Sequence, residues 1–262
     1  MEPYQPPESQ MYEPPPNRRQ QSGYPEPPIE DPFYSGNVVS GLMVTIKSVL
    51  FSPADFFRGL RDDRSFAPSF IFAFVVLVGV GLIGHIVNTL TGNTVWEQWG
   101  QIFEQMGSDN PFSEIMSTQD DLGPIMTIVM ILMIPIQTVL GIAFNLLLYF
   151  VFAKLTGAFS RSFGVFARVL FYSYTPYLFM LIPVQALMIL NPLFSFLVIL
   201  YYLPLGLYSF VLLAMGIYYT NEAESSPLRA ALAVLLPWVL ICLCVMAFTI
   251  MMVASIGALG AG

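Results

Sequence analysis

Residues 144–183 of this chain read FNLLLYFVFAKLTGAFSRSFGVFARVLFYSYTPYLFMLIP, and they decide its fold. The stretch holds two apolar segments joined by a short basic connection, Lys154 to Arg168, which is rich in Phe and Gly. Apolar runs of this length are typical of helices that cross a bilayer rather than of a soluble core. Similar runs precede and follow it, so the sequence predicts an all-α, polytopic membrane helical bundle.

The composition supports a membrane protein. Of the 262 residues, 56% are hydrophobic and only 10% are charged, and the mean hydropathy is +0.68. A soluble domain carries roughly 25% charged residues, so much of this surface must face lipid. Cys242 and Cys244 lie two residues apart in an apolar run, which points them to different faces of a helix and predicts neither a mutual disulfide nor a metal pair.

Five apolar segments each reach the roughly 20 residues needed to cross about 30 Å of hydrocarbon. They cover residues 66–90, 124–153, 169–190, 193–219 and 228–255, within a membrane domain of residues 66–262. Only Asn191-Pro192 separates the third segment from the fourth, which predicts a tight hairpin.

Two further segments precede the membrane domain. Residues 1–37 predict a disordered, Pro/Tyr-rich cytoplasmic tail, because ten of the 21 prolines fall there without apolar periodicity. The tail reads either as a docking ligand for an aromatic groove or as a solvated extension. Residues 38–65 predict an amphipathic segment that lies in the membrane interface.

The positions of the ten Lys and Arg residues predict the orientation. Six precede the first span, three lie between the second and third spans, and Arg229 begins the fifth. With a cytoplasmic N-terminus, all ten fall on the cytoplasmic side, as the positive-inside rule requires, and the C-terminus lies outside. Lipid headgroup contacts are expected for Arg58, Arg61, Arg64, Lys154, Arg161 and Arg168. Phe159, Phe163 and Phe166 recur at helical spacing, which predicts that their loop lies in the interface.

Polar residues inside the spans form two helix faces. His85, the single histidine, shares a face of the first span with Asn88, and Gln137 and Asn145 form a stripe on the second. Such residues are typical of helix packing, or line a pathway through the membrane. Because His85 lies nearer the outer surface than Gln137, we expect the two faces not to meet.

An enzyme is not expected. No predicted span contains Asp or Glu, and the GVGLIG match to a dinucleotide fingerprint at residues 79–84 lies within a span rather than after a strand. The sequence therefore predicts no catalytic, cofactor-binding or metal-binding residues.

Three stretches carry a resemblance to a known family. They are SPADFFRGLRDDRSFAPSF at 52–70, LTGAFSRSFGVFARVLFYSYTPYLFMLIP at 155–183 and SSPLRAALAVLLP at 225–237. Their order and spacing resemble the Yip (Ypt/Rab-interacting) proteins, in particular bacterial members. The acidic-aromatic DLYGP-type motif of eukaryotic members is absent before the first span, which argues against GTPase binding.

This resemblance implies an integral membrane scaffold or adaptor without agreed catalytic residues. We expect a multi-pass protein of the bacterial inner (plasma) membrane that organises protein or lipid partners. Expected partners are membrane lipids, an unidentified membrane or cytoplasmic protein and a second copy of the chain, but not nucleic acid. The alternative is a small permease or channel built on the polar stripe of the second span.

Overall fold

The computed structural model describes residues 24–31, 36–91, 119–187 and 194–259. Within these ranges it is helical and contains no β-strand, which confirms the predicted all-α class. The elements, in chain order, are α1 (Val38–Phe51), α2 (Pro53–Arg58), α3 (Ala67–Thr91), α4 (Gln119–Leu155), α5 (Phe163–Ser173), two 3-10 helices (Thr175–Leu181 and Val184–Ala186), α6 (Ser195–Tyr219) and α7 (Pro227–Leu259).

Four of the described helices are long and apolar enough to cross a membrane. The qualifying segments are Ala67–Leu90 in α3, Thr127–Leu155 in α4, Phe196–Tyr219 in α6 and Pro227–Met251 in α7. In the most apolar 18-residue stretch of each of these helices, between 6% and 22% of the residues are buried inside the protein. Most of their apolar side chains therefore face outward, as helices surrounded by lipid require.

The third predicted span is not one continuous helix. Where residues 169–190 were expected to form a single span, α5 ends at Ser173, and Thr175–Leu181 forms a 3-10 helix. Pro176 lies at the start of this 3-10 helix and Pro183 follows its end. Proline lacks a backbone N–H and disfavours α-helical geometry in the preceding residue, which explains the break. The predicted hairpin turn at 191–192 lies outside the described residues.

The broken segment packs along α3 and runs in the same direction. The ring of Phe171 contacts Phe70 near the start of α3, with centroids 5.6 Å apart. Ten residues further on, the Leu181 side chain lies beside Gly79, near the middle of α3. On the other side, Val169 lies against Gly216 of α6. The segment is thus enclosed by two long helices.

Helix α5 forms the centre of the core, since every residue from Val165 to Ser173 is buried. The expectation that the connection before it lies in the interface is wrong for Phe159 and Phe166, which are buried and stack edge-to-face with centroids 5.2 Å apart. The reason is the turn that ends α4: Gly157 has a φ of 63°, and the Ala158 N–H bonds back to the Ala153 carbonyl at 2.9 Å. This Schellman-type ending turns the chain inward.

The N-terminal tail is partly structured. Residues 1–23 and 32–35 lie outside the described residues, and so does the prediction of disorder for them. For residues 24–31 that prediction is wrong, because Pro27 and Glu30 are buried against the bundle. The prediction counted apolar groups, whereas this segment is held mainly through the charges of Glu26 and Glu30.

Helix α1 presents two different faces. Gly41, Thr45 and Val49, spaced four residues apart, are buried, whereas Val39 and Met43 are largely exposed. The Asn37 side chain accepts a hydrogen bond from the Ser40 N–H at 2.7 Å and caps its start. An exposed apolar face on a helix too short to span the bilayer fits a position in the interface, which stays a prediction.

Candidate functional site: a cleft among α3, α4 and the first 3-10 helix

A cleft of about 600 Å³ lies where α3, α4 and the chain around the first 3-10 helix meet. The absence of side chains at Gly81, Gly84 and Gly141 helps to open it. Polar groups from all three elements share its wall with apolar side chains. The lining residues are Leu77, Val80, Gly81, Gly84, His85, Asn88, Met130, Ile134, Gln137, Thr138, Gly141, Ile142, Asn145, Tyr174 and Tyr177.

All four polar residues singled out in the spans line this one cleft. The expectation that the face of His85 and Asn88 does not meet the stripe of Gln137 and Asn145 is therefore wrong. A side chain at Gly81 would come within 2.9 Å of Ile134, which fixes the level at which α3 and α4 face each other. The helices are antiparallel and the cleft is elongated, so polar groups at different depths open into the same space.

Two side-chain hydrogen bonds connect the chain around the first 3-10 helix to α4 and α6 at one end of the cleft. The Asn145 amide and the Tyr174 hydroxyl form one hydrogen bond, and Tyr177 and Ser209 form another. Asn145 therefore faces protein, as expected from the cost of an unpaired amide in hydrocarbon. Gln137 is more exposed and lies on the cleft wall.

His85 is the incomplete member of the set. Its Nε2 atom is buried and has no hydrogen-bond partner among the described residues. A buried polar atom without a partner is destabilising, and it is satisfied when a hydrogen-bonding group enters the site. The cleft thus presents the buried His85 Nε2, which lacks a partner among the described residues, to an uncharged polar group that enters it.

Sequence reasoning missed Tyr174 and Tyr177. Both belong to the YSYTPY run at residues 172–177, where tyrosines surround a proline in an apolar segment. Tyrosine in a span needs a partner for its hydroxyl, and proline marks a break, so this run was the available signal. Within the described residues, no cluster of three or more His, Cys, Asp or Glu side chains is arranged to hold a metal ion.

The predicted headgroup cations lie at the opposite end of α3 and have partners within the protein. Lys154 Nζ donates to the Ser160 carbonyl at 3.2 Å. The arginines form ion pairs: Arg58 with Glu222 at 2.8 Å, Arg61 and Arg64 with Glu26 at 2.6 and 2.8 Å, Arg161 with Asp62 at 2.7 Å, and Arg168 with Glu30 at 2.8 Å.

Arg168 departs most from its predicted role, because its side chain is fully buried and cannot reach a headgroup in this structure. Its predicted exposure assumed that the connection lies on the surface, whereas α5 occupies the core. For Arg58, Arg61, Arg64, Lys154 and Arg161, a headgroup contact stays a prediction.

The hydrogen bonds and ion pairs at this end of the bundle also change the pKa of a carboxyl group, that of Asp62. Burial raises the pKa of Asp62, but hydrogen bonds from Arg161 and Ser162 lower it by more, so the net pKa lies below its usual value. Asp62 is thus held ionised, and it fixes the turn between α2 and α3 to the connection that precedes α5.

Together, the four long apolar helices and the polar cleft between them define an integral, multi-pass α-helical membrane protein. A comparison with family models matches the Yip1 domain over residues 47–249, so the chain belongs to the Yip1 domain family. Neither the comparison with curated proteins nor that with solved structures found a match. The family match covers α2 to α6 completely, and with them the whole cleft.

Proposed function

We propose that this protein is a non-catalytic membrane scaffold of the Yip type, which binds a transmembrane helix of a partner protein in the cleft. The observation that carries this proposal is the lining itself, in which glycines lie beside uncharged hydrogen-bonding groups. Small residues let two helix backbones approach closely, and amide and imidazole groups hydrogen-bond across such contacts. The partner helix is expected to carry a Ser, Thr, Asn or Gln whose side chain forms a hydrogen bond with His85 Nε2.

A second candidate is a small permease or channel. The observation in its favour is the volume of the cleft, about 600 Å³, which lies within the range of small-molecule sites. Such a function predicts solute flux that is lost when Gln137 or Asn145 is replaced, whereas a scaffold predicts stable partners and no flux.

Site-specific photo-cross-linking in native membranes tests the scaffold. A photoreactive residue at position 138, on the cleft wall, should form a discrete adduct with one membrane protein, identified by mass spectrometry. Gln137→Leu in the same chain should reduce the adduct about fivefold, because an interhelical hydrogen bond contributes on the order of 1 kcal/mol.

Position 140 provides the matched control. Leu140 lies on the same helix at nearly the same depth, but it is 64% exposed and does not line the cleft. A photoreactive residue there should react with lipid only. Adducts of position 138 with lipid alone would contradict the scaffold, and an adduct with a second copy would identify a homo-oligomer as the assembly.

We also propose the orientation expected from the sequence, with the N-terminus in the cytoplasm of a bacterium and the protein in the inner membrane. Support comes from the ion pairs, which bring the arginines of α2, of the α2–α3 turn and of the 158–168 segment to one end of the bundle. Membrane lipids are then partners along the exposed helix faces.

The segment 163–187 is proposed as the third of five crossings. Eleven α-helical residues and seven 3-10 residues rise by about 30 Å in total, which is close to the hydrocarbon thickness. Its course alongside α3 supports this assignment.

Topology reporters distinguish five crossings from four. With five, we expect a reporter fused at Gly262 to report the outside and one inserted after Ser225 to report the cytoplasm. If segment 163–187 does not cross, both positions change side. A cytoplasmic Gly262 together with an external Ser225 would therefore refute the five-crossing arrangement.

A further inference from the structure

Residues 24–31, YPEPPIED, lie as a strap across the end of the bundle that carries the arginines, and residues 28–30 of the strap form a turn. We call the groove beneath them the strap groove. Its walls come from α1, from the turn between α2 and α3, and from α5. These walls are distant in sequence, so the groove exists only in the folded bundle.

Two glutamates of the strap, four residues apart, reach separate cationic subsites. Glu26 forms ion pairs with Arg61 at 2.6 Å and with Arg64 at 2.8 Å. Glu30 accepts hydrogen bonds from Arg168 and from the Tyr172 hydroxyl, each at 2.8 Å. The Glu30 side chain is 2% exposed. Two buried acidic anchors at fixed spacing are how a groove selects one peptide sequence over another.

The remaining contacts are typical of peptide recognition. The Ile29 N–H donates to Thr45 Oγ1 of α1 at 3.4 Å, and the side chain of Ile29 packs against the core. The Pro25 carbonyl approaches Gly59 so closely that an added Cβ there would lie 2.3 Å from its oxygen. The guanidinium of Arg58 lies 5.4 Å from the centre of the Tyr24 ring.

Some of the charged groups that bind the strap are buried at a cost or lack a full set of hydrogen-bond partners. Burial raises the pKa of Glu30 more than Arg168 and Tyr172 lower it, so the ionised carboxylate is held at an electrostatic cost. The Nε atoms of Arg61 and Arg64 are buried and have no hydrogen-bond acceptor among the described residues. The burial of these charged groups therefore offsets part of the favourable energy of the ion pairs that bind the strap.

From these contacts we infer that the strap groove is a binding site for acidic, proline-rich peptides with two glutamates four residues apart. In this structure residues 24–31 fill the site in cis, as a resident ligand that a peptide of the same chemistry displaces. The site lies at the far end of α3 from the cleft and does not depend on the proposed function of the cleft.

The first test uses the unmodified full-length protein and a synthetic peptide of residues 24–31. Hydrogen exchange should show the Ile29 amide protected at the start, because it bonds to Thr45. Saturating peptide should reduce this protection at least tenfold, whereas a peptide with both glutamates replaced by Gln should leave it unchanged. Unchanged protection at saturating peptide 24–31 would overturn the inference.

The second test empties the groove. In full-length Glu26→Gln/Glu30→Gln, a fluorescent peptide 24–31 should bind about tenfold tighter than to the parent, because a resident strap competes at a local concentration on the order of 1 mM. Adding Gly59→Ala to this variant should abolish binding, since the new Cβ would meet the peptide carbonyl. Equal affinity for the parent and the double variant contradicts a filled site.

A lipid control addresses the other class of anion. The parent is reconstituted in nanodiscs of phosphatidylcholine alone and of phosphatidylcholine with phosphatidylglycerol, without peptide. We expect equal protection of the Ile29 amide in both. Loss of protection only in the anionic nanodiscs would assign the arginines to phosphate headgroups and overturn the peptide site.

Discussion

Replacing Arg168 by Met is expected to lower the melting temperature of the detergent-solubilised protein by about 10 °C. Its guanidinium is fully buried and bonds to the Glu30 carboxylate and to the Arg61 carbonyl. Removing one member of a buried ion pair leaves an uncompensated charge and typically costs about 3–5 kcal/mol. For a protein of this size, each kcal/mol corresponds to a shift of roughly 2–4 °C.

The double variant Arg168→Met/Glu30→Gln separates charge from packing. It removes the Glu30 carboxylate that is left buried without its cationic partner, so it should have a higher melting temperature than Arg168→Met alone. Arg168→Lys should fall between the parent and Arg168→Met, since an ammonium keeps the charge but lacks the planar fork that reaches two acceptors. If Arg168→Met and the parent have the same melting temperature, the buried ion pair does not hold α5 in place.

A second large loss of stability is expected from Gly216→Leu in α6. An added Cβ at Gly216 would lie 2.5 Å from Val169 Cγ1 and 3.1 Å from a ring carbon of Phe57. Overpacking a filled core costs about 1–3 kcal/mol, and the larger Leu side chain should reach or exceed the upper end. Thermal unfolding in detergent measures the effect.

Gly206→Leu is the matched control on the same helix. No atom lies within 4 Å of a Cβ built there, so the melting temperature should change little. Equal losses for the two variants would show that the effect comes from removing glycine from α6 and not from the contact with α5 and α2.

The sequence predicts the long helices well because length and hydropathy alone define them. Segments at 66–90, 193–219 and 228–255 correspond to α3, α6 and α7 within a few residues. The segment at 169–190 fails on the same criterion, since it is equally apolar but contains Pro176 and Pro183. Local backbone chemistry, which a hydropathy window averages away, decides its conformation.

The cleft could be predicted only in part. Helical spacing correctly grouped His85 with Asn88, and Gln137 with Asn145, but the relative level of two antiparallel helices depends on packing. That level is fixed by contacts such as Gly81 with Ile134, which the pattern of either helix alone does not contain. The strap was missed for a related reason, because Glu30 gains its place from Arg168, 138 residues away.

The 3-10 helix at Thr175–Leu181 bears on how the chain is assembled during synthesis. The translocon accepts segments that are apolar and can satisfy their own backbone groups as helices. Segment 163–187 carries a buried arginine and a broken ladder of hydrogen bonds, so it is a poor substrate for insertion alone. Its partner α6, whose Tyr201 hydroxyl donates to the Phe179 carbonyl, is made later. In the five-crossing arrangement proposed above, we therefore expect this segment to enter the bilayer only after the ribosome has completed α6, so that the central crossing is among the last to be placed.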